Sequence, residues 1–234
     1  MIVTIHQPEH IPWLGFFNKA MNCNCFVILD NVQYRKNYFQ NRNQIISSSG
    51  ESPMWLSIPV KKGKLSNLIS EKEMIFDLTE RKNYFKKIEH SYKNYPFYEK
   101  YISELKDIFN NNNKLLSKLN IELIRYFFSL LEIKCDLVIS SNLSLDKKSK
   151  GGLITFDICN FLGAKTYLSG ISGKDYLDLT PFKKQNINVI FQEFKHPIYN
   201  QPNKKFVSHL SILDLLFSYE IDEIKELIKS SYTL

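Results

Sequence analysis

A chain of 234 residues with 44% hydrophobic and 24% charged side chains is long enough to bury a sizeable core, and suits one α/β domain over 1–234 better than two large ones. It contains no run of about eighteen apolar residues that would cross a membrane as a helix. Met1 leads straight into Ile2-Val3-Thr4-Ile5 without a basic leader, so the expected compartment is a bacterial-style cytoplasm. The net charge of +7 is localised, with residues 61–120 carrying +5 of it on Lys61, Lys62, Lys64 and lysines such as Lys82, Lys86 and Lys87. The latter alternate with Glu80 and Glu89, the pattern of a solvated helix face. Tyr84, Tyr92 and Tyr95 share the stretch, yet a solvated surface accounts for the excess better than a nucleic-acid groove does. An anionic small molecule is equally compatible with it.

In chain order, Ile2 to Ile5 reads as a short buried strand of the parallel-sheet kind. Pro12 is placed for the first turn of a helix running through Trp13 to Met21, and Phe26 to Leu29 is a second buried strand. Strand, helix and strand in under thirty residues make a βαβ unit. Gln44 to Ser47 and Trp55 to Val60 bracket a turn at residues 48–53 and read as an attached hairpin. From Thr79 the apolar period becomes helical, and residues 79–131 are expected as a helical insertion of three helices. Alternation then resumes with a strand over Cys135 to Ile139, a helix over Leu153 to Leu162, strands at Thr166 to Leu168 and Val189 to Phe194, and terminal helices at Ser211 to Leu216 and Ile224 to Ile228. The fold class this predicts is α/β, a mostly parallel Rossmann-like sheet with the helical insertion between its halves.

Four cysteines are too few and scattered for a disulfide framework. Cys23-Asn24-Cys25 has one residue between its sulfurs and no second pair, so no zinc knuckle is expected, and no metal constellation is apparent.

Ligands of open α/β sheets bind beyond the carboxyl ends of the strands, which singles out three polar loops. The first is His6-Gln7-Pro8-Glu9-His10. The second runs from Asp30 through Gln33 and Tyr34 to Asn41-Arg42-Asn43. The third is Ser169-Gly170 through Lys174 to Tyr176. A single cleft is expected where they converge. His6, at a strand end before a helix, is placed to move a proton or meet an anion. Asp30 is open to four readings: a base, a ribose-hydroxyl acceptor, a metal ligand or a turn cap. Asn41, Arg42 and Asn43 offer hydrogen bonds to a carboxylate, phosphate or sugar, although a loop bonding its own backbone looks the same. The glycines around Lys174 suggest a phosphate loop but lack its full spacing. His196 and Tyr199 form a further polar-aromatic end loop. His10 reads as structural.

His6-Gln7-Pro8, Pro12-Trp13-Leu14-Gly15-Phe16-Phe17, Leu29-Asp30-Asn31-Val32-Gln33-Tyr34 and Gln40-Asn41-Arg42-Asn43 together resemble the WbqC-like protein family. The likeness continues through Ser169-Gly170, Tyr176-Leu177-Asp178, His196 to Gln201 and Leu210 to Leu216. Family members commonly carry an aromatic where this chain has His10. The family is associated with bacterial O-antigen and other surface-polysaccharide gene clusters. The resemblance therefore implies a cytoplasmic enzyme acting on a nucleotide-activated amino sugar. The expected activity is N-acyl or aminoacyl transfer, with His6 or Asp30 taking the amine proton. Gln7, Gln33, Tyr34, Asn41, Arg42, Asn43, Ser169, Gly170, Lys174, Tyr176, His196 and Tyr199 are the expected substrate contacts. No resident cofactor is expected beyond an activated acyl donor. The alternatives are a nucleotidyl- or ligase-type enzyme, or a non-catalytic protein that binds a sugar nucleotide or a biosynthetic enzyme.

Overall fold

The computed structural model describes residues 1–63, 67–111, 113–145, 151–202 and 205–231; Lys64, one of the expected basic cluster, lies outside them. Five strands, β1 (Ile2–His6), β2 (Cys25–Ile28), β5 (Asp136–Ile139), β6 (Thr166–Ser169) and β7 (Asn188–Phe191), form a parallel sheet in the order β5-β2-β1-β6-β7. The chain builds outward from β1 in one direction, then returns to its other side with β6. Strand order therefore reverses between β1 and β6, and the crevice at that reversal lies beyond His6 and Ser169.

The sheet has a large and a small hydrophobic face because strand side chains alternate. Along β2 and the residue after it, Phe26 and Ile28 enter the larger cluster while Cys25, Val27 and Leu29 enter the smaller one. The smaller side is closed by α5 (Gly152–Phe161) and by Phe182 of α6 (Thr180–Lys184). The larger side holds α1 (Leu14–Met21), α7 (Leu213–Ser218), α8 (Ile221–Ser230) and the helices α2 (Leu78–Tyr92), α3 (Tyr98–Asn110) and α4 (Leu116–Leu130), which follow the antiparallel pair β3 (Arg42–Ile46) and β4 (Pro53–Ser57). Tyr84, Tyr92 and Tyr95, the aromatics interleaved with lysines, are all buried in this cluster. Pro12 sits one residue ahead of the N-cap Trp13 instead of inside the first turn. All four thiols are free, and Cys25 and Cys159 are buried.

One polar network ties the sheet to the helices. The buried His10 donates from Nδ1 to Asn120 Oδ1 (3.0 Å) and accepts the Tyr84 hydroxyl at Nε2 (2.7 Å). Asn120 Nδ2 donates to the carbonyls of Pro8 (3.0 Å) and Gln40 (2.7 Å). Asn43 Nδ2 donates to the carbonyls of His10 (3.3 Å) and Ile11 (2.9 Å). Ile11 sits at φ 41°, a left-handed conformation that costs a β-branched residue on the order of 1–3 kcal/mol and persists only when its surroundings impose it.

Burial lowers the His10 pKa from 6.5 to about 4. A histidine depressed on folding stabilises the fold fully above 6.5, and this contribution is lost as pH falls through 4. The free energy of unfolding of the native chain, minus that of His10→Gln, is therefore expected to drop between pH 6.5 and 4. Its slope should approach one proton, about 1.4 kcal/mol per pH unit. Urea titrations of the two proteins across that range measure it; a pH-independent difference would show that His10 titrates normally.

Candidate functional site

Beyond the carboxyl ends of β1 and β6 the fold leaves a cleft of two lobes, with cavity volumes of about 520 and 480 Å³. His6, Glu9, Lys19, Tyr38, Gly170 and Ser172 line both, so these residues form the junction. The first lobe is walled by Trp13, Phe39 and Phe194, with His209 and Lys195 at its rim. The second is more polar, lined by Gln7, Arg35, Gln40, Asp175 and Tyr176.

At the junction, His6 ends β1 with its ring edge-to-face on Phe16 (4.9 Å between centroids). It donates from Nδ1 to the Gln7 carbonyl (3.0 Å), which leaves Nε2 as a bare lone pair. That nitrogen lies 3.7 Å from Glu9 Oε1, while 26% of the side chain remains open. Burial of the rest, with the nearby Lys19 charge, lowers the His6 pKa to about 3, and the ring is neutral at physiological pH. Glu9 is buried and its Oε2 has no partner. Burial raises its pKa to about 8, against a smaller opposing effect of Lys19. Lys19 is buried on α1, donates to the Ile5 carbonyl (3.3 Å) and is lowered by burial to about 8. An acid and an amine that both change charge near neutral pH, in a cleft, have the proton affinities that acid–base chemistry requires.

The local sequence explains these positions. Gly15 is required because a Cβ there would come 2.4 Å from the Trp13 indole, so the ring lies across the start of α1 and walls the first lobe. Gln192 fastens the β7 end to α1 through Gly15 O (2.9 Å) and Asn18 Oδ1 (2.7 Å). Gln7 accepts from Gln40 Nε2 (2.7 Å), and Gln40 Oε1 accepts from the Arg35 backbone (2.8 Å), which anchors the second loop on the first. Ser169 is buried with its hydroxyl on the Gly170 carbonyl (3.1 Å). The following segment forms a short 3-10 helix, Ile171–Asp175, in which a Cβ at Gly173 would come 2.2 Å from Ser169 Oγ. Gly173 thus serves close packing, whereas a Cβ at Gly170 would meet open space.

Of the residues expected at the site, the structure brings His6, Gln7, Gly170 and Tyr176 to the cleft. Asp30 is elsewhere: it accepts from Ser140 Oγ (3.1 Å), Ser141 N (3.0 Å) and Ser141 Oγ (2.8 Å), capping the turn after β5, the strand beside its own and away from the sheet reversal. Asn41 donates to Ile58 O (2.9 Å), and Asn43 belongs to the network described above. Arg42 lies over the Trp55 ring (4.0 Å) and donates to Asn37 O. Gln33 bridges to Leu68, and Lys72 stands over the Tyr34 ring (4.9 Å). Lys174 lies over Phe191 (5.6 Å). Tyr199 is buried with its hydroxyl on Asp214 (2.8 Å). His196 touches the first lobe only indirectly, with its ring 4.8 Å from that of His209.

Glu9 and Lys19 are the residues that sequence reasoning did not select. Lys19 carries no such signal in the sequence, where it is one lysine on a short helix; its burial follows from the packing of α1, which is buried through Leu14–Ala20. Among the described residues, no group of three or more His, Cys, Asp or Glu is placed to hold a metal ion, and no helix is long and apolar enough to cross a membrane.

Fold and site together define an α/β protein with a reversal-point cleft built around buried titratable groups. A profile of the WbqC-like protein family matches residues 7–226, and the chain belongs to that family. It is also 30% identical over 220 residues to the uncharacterized protein Rv1507c of Mycobacterium tuberculosis (strain ATCC 25618 / H37Rv), a match spanning 92% of this chain and 93% of that one. No solved structure matches it.

Glu9 supplies a sign test of the electrostatics. A carboxyl raised on folding from 4.5 to about 8 contributes stability that is present below 4.5 and lost as pH rises through 8. Glu9→Gln should therefore gain stability relative to the native chain steadily from pH 5 to 8.5. Denaturant midpoints across that range measure it, and parallel pH profiles for the two proteins would mean that Glu9 ionises as an exposed carboxylate does.

Proposed function

We propose that this protein is a transferase acting on a nucleotide-activated amino sugar, moving an acyl or aminoacyl group from an activated donor to the sugar amine. The observation that carries the reading is the cluster of half-buried His6 with buried Glu9 and Lys19 at the meeting point of two lobes. Group transfer needs two bound reactants held against one proton-transfer group, and this cleft offers that layout. The aromatic walls of the first lobe suit a nucleobase, and the start of α1, at Gly15 and Phe16, opens on the same lobe and favours an adjacent phosphate. Gln7, Gln40, Arg35 and Tyr176 in the second lobe suit a hydroxylated ring. The polysaccharide setting implied by the family resemblance agrees with such a substrate.

In this mechanism the ionised Glu9 takes a proton from the amine as its nitrogen bonds to the donor carbonyl carbon. The Lys19 ammonium stabilises the oxygen that becomes negative, and Glu9 returns the proton to the leaving group as the carbon–donor bond breaks. The neutral His6 ring accepts a hydrogen bond at Nε2 and orients the amine or the Glu9 acid. Glu9 thus takes the part expected from the sequence for His6 or Asp30. A purely binding role would be favoured by an exposed aromatic face without a cleft; here the aromatics wall a cleft that ends on titratable groups.

A thermal-shift panel of nucleoside diphosphate sugars, free nucleosides and free amino sugars tests the binding half, with stabilisation expected from the sugar nucleotides alone. Mass spectrometry of an amino-sugar nucleotide incubated with acyl donors tests the chemistry. Glu9→Gln should retain the ligand-induced shift while turnover falls by roughly 10²–10⁴-fold, and His6→Asn should fall in the same direction. Full turnover in folded Glu9→Gln would dismiss Glu9 as the base, and a panel without any shift would dismiss the substrate class.

A further inference from the structure

The basic excess of residues 61–120 also lines a groove that shares no residue with the cleft. On α2, Leu78, Arg81, Lys82, Phe85, Lys86 and Glu89 recur at three- and four-residue intervals and so share one face. With Tyr98, Lys106 and Asn110 of α3 they line a groove of about 550 Å³. Leu78 is 81% exposed at one end of it, and Phe85 lies deeper, 8% exposed. Arg81 is held across the two helices by its Nη1 bond to Asn110 Oδ1 (2.8 Å), and its buried Nε has no partner. Four cations thus flank an apolar strip, with Glu89 as the one carboxylate among the lining residues.

We propose that the α2–α3 groove is the docking site of an acidic amphipathic helix from a partner protein. The shape and charge of the groove argue for this occupant. The cations are strung along the groove, about one turn of helix apart from Arg81 or Lys82 to Lys86, and do not converge on a point as a pocket for a free phosphate would. They track an extended anion. A nucleic-acid strand needs exposed aromatic faces on which bases can stack, and Tyr84 and Tyr92 of α2 are core residues. A membrane surface calls for several protruding apolar side chains, and this concave groove offers one fully exposed residue, Leu78. A helix bearing apolar side chains at i, i+3 and i+7 with carboxylates beside them would cover Leu78 and Phe85 and pair with Lys82, Lys86 and Lys106, the groove mode of peptide recognition. The opposite side of α2 carries Tyr84, whose hydroxyl reaches His10 (2.7 Å), the neighbour of Glu9, so the docking face and the cleft loop lie on two sides of one helix.

The test uses the full chain and a fluorescein-labelled sixteen-residue peptide with leucines at i, i+3, i+7 and i+10 and glutamates flanking them. A control peptide has the same composition but its leucines spread around the helix. Fluorescence anisotropy should show saturable binding of the first peptide that weakens with added salt, at least tenfold tighter than the control. Lys82→Glu/Lys86→Glu should abolish binding, and Leu78→Ser should weaken it several-fold; both replace exposed side chains and should leave the melting temperature unchanged. Equal binding of the control peptide would overturn the proposal, as would tighter binding, in competition, of inorganic phosphate, a single-stranded oligonucleotide or anionic lipid vesicles. None of these outcomes depends on turnover at Glu9.

Discussion

The structure depends on how the chain leaves β1. The segment from His6 to Pro12 must cross from the end of a buried strand to the start of α1, and it does so through a left-handed Ile11 whose neighbouring carbonyls would be costly to bury unpaired. Asn43 from the hairpin and Asn120 from α4 satisfy those carbonyls, and His10 joins Asn120 to Tyr84 on α2. The hairpin and the α2–α4 helices thus brace the loop on which His6 and Glu9 sit. Side chains that look like substrate contacts in the sequence, Asn43 above all, are in the fold part of the frame that holds the cleft loop.

That frame also explains the electrostatics of the junction. A carboxylate and an ammonium placed in a cleft open to water would keep ordinary proton affinities. Here α1 is buried through Leu14–Ala20 and Glu9 is covered, so desolvation acts on both in opposite chemical senses, making the acid weaker and the amine less basic until each titrates near 8. Desolvation keeps His6 neutral, with its Nδ1 proton committed to the Gln7 carbonyl. The three groups differ in intrinsic chemistry but share one cause of perturbation, the close packing around the end of β1.

Much of this was legible in the residues. The apolar β-branched runs, the helical period from Thr79 and the hairpin residues marked their elements, and the loops after β1 and β6 meet because the parallel sheet reverses its order between those strands. Asp30 misled because a carboxylate after a buried strand has the same sequence whether it faces a ligand or caps a neighbouring turn; only the pairing of β2 with β5 puts Ser140 and Ser141 within its reach. Asn43 misled for a similar reason, since an amide satisfies a buried carbonyl of a distant loop as readily as a ligand. Lys19 was hidden as a plain lysine on a short helix.

Consecutive residues carried the α/β class, the sheet strands in their order and most of the helices, though not the short α6, and they marked the loops after β1 and β6 as polar ends of buried strands, because periodicity and strand-end polarity are local properties. Only the tertiary structure decided which polar side chains face the cleft and which face one another, and with that the buried state of Glu9 and Lys19. Hydrogen-bond partners and desolvation are set by residues far apart in the chain, as His10 with Asn120 and Asp30 with Ser140 are, and no local pattern encodes them.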